Sequence, residues 1–510
     1  MSTVPIGIDL GTTYSAVAIV GETGEVQLLP NAEGKYLTPS VILIEDDNIV
    51  IGDVAKDARV DMPAAVVEFI KRSMGTERRF FYANQEFSPI ELSSLVLKKL
   101  KSDAEAALGF PVTQAVITVP AYFGAEGRDA TEKAARIAGI EVLALINEPT
   151  AAALAFGMGG DRTGTVLVFD LGGGTFDVTV VMFGDNNTIE VLGSDGDAEL
   201  GGKDFDDEVI KLVIHEFQRV HGVDIATDIE ATAELRQKAE KAKHDLSARE
   251  STTISLNVND QKLRMELSRD QFAAAIQPLL EGMKFTIRTV LDDCGLTKDE
   301  ITDVLLVGGS SRVQAVRQMV RDFFGREPNT TVHPDEAVAK GAALFAAQTL
   351  ASNKSNCLPP ELQARAKALP AVHDVALHSI GISAVDKNSN HLRNAIILQR
   401  GTALPTAITD RFRTSENGQT SVKIDINEGE EEDLAYVTKL GSFVLNLPTP
   451  RPAGSPIDVQ VGLDLSGIIR VLATDVESGQ RKDVTIDYTV NMSEQEVRER
   501  STWLSRQTIS

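Results

Sequence analysis

Apolar positions along this chain follow two different periods, and the change falls near residue 350. Before it, strand-like and helix-like stretches alternate. Val116 to Val119 is a short β-branched run. Gly127 to Gly139 spaces Ala130, Ala134, Ala135 and Ala138 along one face of a helix. Thr165 to Phe169 reads as strand again. Such alternation predicts an α/β fold. From Asn353 to Leu369, Asn, Ser, Lys and a Pro-Pro pair read as a linker. Beyond it apolar residues alternate with polar ones, at Val422, Ile424 and Ile426, from Ile457 to Leu463, and from Val484 to Tyr488. Period two predicts half-buried strands of an antiparallel sheet or sandwich. Ser493 to Leu504 reads as a short helix, with Ser493 as cap and Glu496 at capping-box spacing. The expected division is residues 1–350 α/β, 351–373 linker, 374–490 all-β antiparallel sandwich, and 491–510 a short helical end.

One internal repeat brings in chemistry. Val4 to Val20 runs apolar strand, Asp9-Leu-Gly, Thr12-Thr13, apolar strand. Val166 to Phe183 runs apolar strand, Asp170-Leu-Gly, Gly173-Gly174-Thr175, apolar strand. Two copies about 160 residues apart predict two similar lobes facing one cleft. Glycines permit a tight turn and bring backbone N–H groups near a ligand, where successive N–H groups form an anion nest. Threonine hydroxyls add donors. Asp9 and Asp170 would repel phosphate directly, so their expected role is to hold Mg²⁺ through water. Two ordinary glycine hairpins are the bland alternative, and the matching strand context weighs against it. The chain has no GxxxxGK[ST], so the usual phosphate loop is absent, and no GxGxxG after a strand.

Composition narrows the field. A chain of 510 residues exceeds one core, so two or three domains are expected. A net charge of -24 argues against a nucleic-acid surface. The two cysteines, Cys294 and Cys357, form no CxxC and no metal-ligand spacing, which fits a reducing compartment. The N-terminus lacks the basic and apolar regions of a signal peptide, and no apolar run approaches the ~18 residues of a membrane span. A cytoplasmic protein without membrane or nucleic-acid partners is the expectation.

Several motifs together resemble the seventy-kilodalton heat-shock chaperones. They are GIDLGTTYS at Gly7 to Ser15, VPAYF at Val119 to Phe123, INEPTAAA at Ile146 to Ala153, DLGGGTFD at Asp170 to Asp177, LGGKDFD at Leu200 to Asp206, VGGSSR at Val307 to Arg312 and HPDEAVAKGAA at His333 to Ala343. The likeness runs in order over residues 6 to 348 and continues more weakly from Asp374 to Tyr488. It implies an actin-like two-lobed ATPase domain, a β-sandwich that grips extended apolar peptides, and ATP or ADP with Mg²⁺ as ligands. It further implies that Lys71 orients the attacking water, with Glu148, Thr175 and Asp177 beside the water, metal and γ-phosphate. Gly11, Thr12, Thr13, Tyr14, Gly172, Gly173, Gly174, Gly201 and Gly202 are implied around the phosphates. Glu240 and Lys243 are implied at the ribose, Ser247 at the adenine, and Gly308, Gly309, Ser310, Arg312 and Asp335 along the adenosine. Ile382, Val385, Phe412, Ser415, Val422 and Ile424 match the peptide cleft. Bland readings stand beside these: a solvated Lys71, a helix-start Glu148, a solvated helix face for Glu240, Lys243 and Ser247, and core positions for the apolar strand residues.

Departures from the family shape further expectations. The linker Pro370-Ala-Val-His-Asp374-Val lacks the family's leucines, which predicts weak coupling between domains. The family arginine that meets J-domain partners falls at Ala144, His244 stands where some relatives have Arg, and the segment from Gly75 to Pro89 looks shortened. The sequence stops about twenty residues after the last strand, where relatives continue into a helical lid. J-domain and nucleotide-exchange proteins are the implied co-chaperones. The acidic loop from Asn427 to Asp433 predicts a preference for peptides flanked by Lys or Arg, or else a solvated loop. Two other classes compete with a chaperone: an ATP-switched module with one dedicated partner, and a kinase on the same fold.

Overall fold

The computed structural model describes residues 4–21, 23–45, 48–158, 162–352, 359–386, 391–486, 488, 491–507 and 509. Cys357, the first part of the expected linker and Asp487 of the last expected strand lie outside the described residues.

The internal repeat forms two sheets of matching topology. In the first, Glu141–Asn147, Gln114–Val119 and Ile6–Asp9 run parallel, and Tyr14–Val20 and Val26–Leu29 follow antiparallel. In the second, Ile301–Val307 and Gly164–Leu171 run parallel, and Phe176–Gly184 and Thr188–Asp197 follow antiparallel. Each Asp-Leu-Gly turn therefore joins the central parallel strand to its hairpin partner. Helices Glu148–Gly157 and Ala337–Ser352 share one buried cluster with residues of both sheets. Their alanines and glycines follow from that close approach. A Cβ on Gly341 would meet the Ala151 carbonyl oxygen at 1.8 Å, and one on Gly7 would meet the Ala343 nitrogen at 2.1 Å. Helix Ala125–Ile137 occupies the stretch expected to be helical and stops before Gly139, whose φ is +73°.

The expected linker is structured where it is described. Pro360–Lys367 is a helix and Ala371–His373 is a strand. That strand adds parallel to Thr188–Asp197, with Val372 opposite Ile189. Leu369, Val372 and Val375 pack on the cluster between the two sheets. The scarcity of leucine does not prevent this docking, because strand addition draws on backbone N–H and C=O groups and Val372 supplies the apolar contact.

The period-two segments form two four-stranded antiparallel sheets that share one core. One contains Leu392–Leu398, Ile380–Val385, Gln419–Glu428 and Thr438–Arg451. The other contains Thr406–Arg413, Pro456–Leu463, Ile469–Asp475 and Arg481–Thr485. Helix Glu494–Ser505 begins at the expected Ser493–Glu496 capping box. It leaves the sandwich and places Val497 and Leu504 in the core of the first lobe. Arg136 pairs with Glu494 at 2.6 Å and Arg500 with Glu91 at 2.6 Å. Lys98 donates to the Leu504 carbonyl at 2.6 Å.

The sandwich sits directly on the first lobe. Buried Arg128 donates to Asn147 at 2.5 Å and to the Ser466 carbonyl at 3.1 Å. Asn147 donates to Asp374 at 2.8 Å. Helix Ala125–Ile137 has a glycine at its N-cap, and Glu428 of the sandwich accepts from the Ala125 N–H at 3.2 Å. A second contact reaches the other lobe, where Arg400 pairs with Asp293 at 3.2 Å. The acidic loop is largely spoken for. Glu428 meets Ala125, Glu430 accepts from Ser379, Glu432 pairs with Arg393 and Asp433 accepts from the Ala435 N–H.

Candidate functional site

The two Asp-Leu-Gly turns meet across a cleft of about 570 Å³. In the first turn Gly11 N–H donates to Ser15 Oγ at 3.2 Å, and Ser40 Oγ donates back to the Gly11 carbonyl at 2.8 Å. In the second, Gly172 N–H reaches the Thr175 carbonyl at 3.0 Å. Helix Gly202–His221 starts against that turn, with Gly202 N–H on the Gly172 carbonyl at 3.0 Å and Lys203 N–H on the Gly173 carbonyl at 2.8 Å. The loops approach too closely for side chains. A Cβ on Gly173 would sit 2.3 Å from Thr13, one on Gly174 2.3 Å from Thr12, and one on Gly201 2.5 Å from the Gly174 nitrogen.

Three carboxyl groups, Asp9, Glu148 and Asp170, and one lysine line this floor, with the Asp177 carboxyl buried behind it. Lys71 is buried and forms an ion pair with buried Glu148. Burial pushes the Asp9 carboxyl up to about 7, and Glu148 adds to the rise while Lys71 opposes it. Burial, with Glu148 and Asp177 adding, also raises Asp170 well above the usual carboxylate range. Asp177 rises to about 8 through burial and Glu148, although the Tyr122 N–H donates to it at 3.2 Å. Buried carboxyls that repel one another are stabilised by a cation placed among them. Among the described residues, no group of three His, Cys, Asp or Glu converges closely enough to hold a metal directly. Thr12 Oγ1 and Asp206 Oδ1 are buried with no protein partner. A phosphate and hydrated cation would supply partners for such atoms, so the residues present fit Mg²⁺-nucleotide.

The far end of the cleft is lined by Glu240, Lys243, His244 and Ser247 on helix Ile229–Ala248, facing Gly308, Gly309, Ser310, Arg312 and Asp335. Lys243 donates to Asp206 at 2.7 Å and to the Gly202 carbonyl at 2.8 Å. Arg312 pairs with Asp335 at 2.6 Å and approaches His333 at 3.3 Å. Gly308 has a φ of +77°, and a Cβ there would meet the Leu171 carbonyl oxygen at 2.3 Å. Burial, then Lys243, lowers the His244 pKa, which favours a neutral ring.

Nearly all nucleotide residues expected from sequence converge here. Gly174, Gly201, Gly202 and Asp177 stand behind the cleft wall rather than on it. Sequence reasoning missed Lys56 and Arg59, which grip Glu240 from the opposite lobe at 2.7 and 2.6 Å. Lys56 also donates to the Tyr14 hydroxyl at 2.6 Å. No local signal marks that pair, since its partner lies 184 residues away. Of the expected peptide residues, Ile382 and Ile424 are buried in the sandwich core. Phe412 and Val422 are half-buried against it, and Val385 and Ser415 are exposed.

The family described as Hsp70 protein matches residues 5–81 and 79–502. Proteins named chaperone protein DnaK from two strains of Thermus thermophilus are similar to the chain along most of its length. Each is 39% identical over 525 aligned residues, covering 96% of this chain and 82% of the relative.

Proposed function

The chain belongs to the Hsp70 family, and from that premise we propose which of its residues carry the chemistry. It is an ATP-dependent chaperone: it hydrolyses ATP and binds unfolded proteins. We assign residues 1–350 to an actin-like ATPase domain and 374–490 to the peptide-holding sandwich. A kinase reading has no support in this family, and a cytoplasmic site of action belongs to the proposal.

The buried Lys71–Glu148 pair facing Asp9 and Asp170 carries the assignment. Bound Mg²⁺ supplies charge neutralisation at the phosphates, and Asp9 and Asp170 would hold it through water. Lys71, fixed by Glu148, orients the attacking water and offsets charge on the transferred group. Asp177, held by the Tyr122 N–H at 3.2 Å, is the carboxylate that the family reading sets near that water. Thr12, Thr13, Thr175 and the glycine backbones position the phosphates. Phosphoryl transfer needs positioning and electrostatics rather than a covalent nucleophile, and this set offers both. Lys71→Ala should slow single-turnover ATP hydrolysis by about 100-fold or more while nucleotide still binds. A wild-type rate in a folded variant would remove Lys71 from the mechanism.

On the sandwich, Val385, Phe412, Ser415 and Val422 offer surface to an extended peptide, with Ile382 and Ile424 beneath as packing. J-domain and nucleotide-exchange partners belong to the same proposal. Ala144 is buried and provides no charge for a J-domain at that position.

A further inference from the structure

Lys71 lies in a short turn, Ile70–Ser73, entered through Phe69 in the left-handed region at φ 58°. The next residue, Arg72, crosses to the opposite lobe. Its Nε donates to the Gly174 carbonyl at 2.6 Å. Its Nη2 donates to Asp204 Oδ2 at 2.5 Å, and Nη1 lies 3.4 Å from Oδ1. That Asp204 carboxylate is already fixed, because Oδ2 also accepts from the Gly201 N–H at 2.7 Å at the start of helix Gly202–His221. Both side chains are largely out of solvent, at 14% and 20% exposure. Lys203 gives the turn a second tie, its Nζ 5.8 Å above the Phe69 ring.

The covalent geometry gives these contacts a consequence for the reaction. A peptide unit is planar and trans, so fixing the Gly174 carbonyl fixes the Thr175 N–H on the opposite side. Gly172, Gly173 and Gly174 otherwise leave that loop with wide conformational freedom. The Arg72 guanidinium thus connects three parts: the turn that presents Lys71, the loop that presents Thr175, and the helix start that abuts the loop.

We propose that Arg72, anchored by Asp204, is a positioning residue for hydrolysis, setting Lys71 against the Gly174–Thr175 peptide across the cleft. It touches no reacting atom. It acts by holding two groups from opposite lobes in register at the moment both are needed. Lysine cannot take its place, since one ammonium lacks the forked geometry that serves a carbonyl and a carboxylate together. This inference rests on the assignment of Lys71 above.

The test separates chemistry from binding. Arg72→Ala, Arg72→Lys, Asp204→Asn and the Arg72→Ala/Asp204→Asn double variant are compared in the full chain. Single-turnover hydrolysis at saturating ATP is measured alongside ATP and ADP dissociation constants, with Lys71→Ala as reference. Misplacement by an ångström costs up to about 100-fold in rate, so each single variant should lose at least about tenfold while nucleotide affinity changes by less than about threefold. The double variant should be no slower than Arg72→Ala, and Arg72→Lys should not restore the rate. A wild-type rate in Arg72→Ala beside an inactive Lys71→Ala would overturn this inference alone. So would a loss confined to nucleotide affinity, or multiplicative losses in the double variant. A wild-type rate in Lys71→Ala would overturn both.

Discussion

Glu240 shows how one residue can serve two lobes. Family resemblance alone implies it at a ribose, whereas its carboxylate is gripped by Lys56 and Arg59 from across the cleft. Burial works to raise its pKa, but the two cations prevail and hold it down at about 2. A carboxyl depressed in this way lends stability above its ordinary 4.5 and loses it as pH falls toward 2, so the latch is fully formed at neutral pH. Arg59 is buried, and salt screens such a pair weakly. Arg59→Met should speed ADP release by about tenfold, the equivalent of ~1.4 kcal/mol, in stopped-flow displacement of a fluorescent nucleotide. An unchanged release rate would show that Lys56 suffices. The two glycine turns are legible in sequence because each writes its chemistry within a few residues, whereas Lys71 and Glu148, 77 residues apart, come only through family resemblance. Lys56, Arg59 and Arg72 are not legible, because their meaning depends on partners 184, 181 and 132 residues away.

At the scale of elements, alternation and period two place the α/β and β parts, because burial of one face imposes the pattern directly. The linker is less legible. Its composition reads as a linker and its missing leucines as weak coupling, and neither reading reveals that Ala371–His373 pairs with the edge of the second sheet. Strand addition is carried by backbone groups, which leave no mark on side-chain composition. The peptide positions are also only partly legible, since alternation cannot separate Ile382 in the core from Val385 at the surface, the latter 49% exposed. Val372→Asp tests the docked strand. A carboxylate there must leave its half-buried site or lose its hydration. Peptide stimulation of ATP hydrolysis should fall at least about fivefold with basal hydrolysis kept, taking coupling to be worth ~1–3 kcal/mol. Full stimulation would show that the signal travels through the direct sandwich contacts instead.

For the molecule as a whole, the seam between sandwich and first lobe collects carboxyl groups. Burial pushes Glu126 up to about 7, and Glu428, Asp129 and Glu77 add to it. Burial also raises Glu132, with Asp129 adding and Arg136 opposing. Asp464 and Glu494 face the same helix, while Arg128, Lys133 and Arg136 supply its positive charge. Undocking would return Glu126 to water and withdraw Glu428. A carboxyl whose docked pKa exceeds its free value favours docking at low pH and weakens it as pH rises between the two. Fluorescence transfer between the sandwich and the first lobe should therefore fall from about pH 4.5 to about 7, and Glu126→Gln should flatten the curve. An unaltered curve in that variant would assign the proton elsewhere. The terminal helix adds a constraint in time. Lys98 and the carbonyl it holds are 406 residues apart. Ribosomes supply chain at about 5–20 residues per second, so about 20–80 s separate the two during synthesis. Throughout that interval the groove that will receive Val497 and Leu504 faces water, so the first lobe completes its own core only after the whole sandwich has been made.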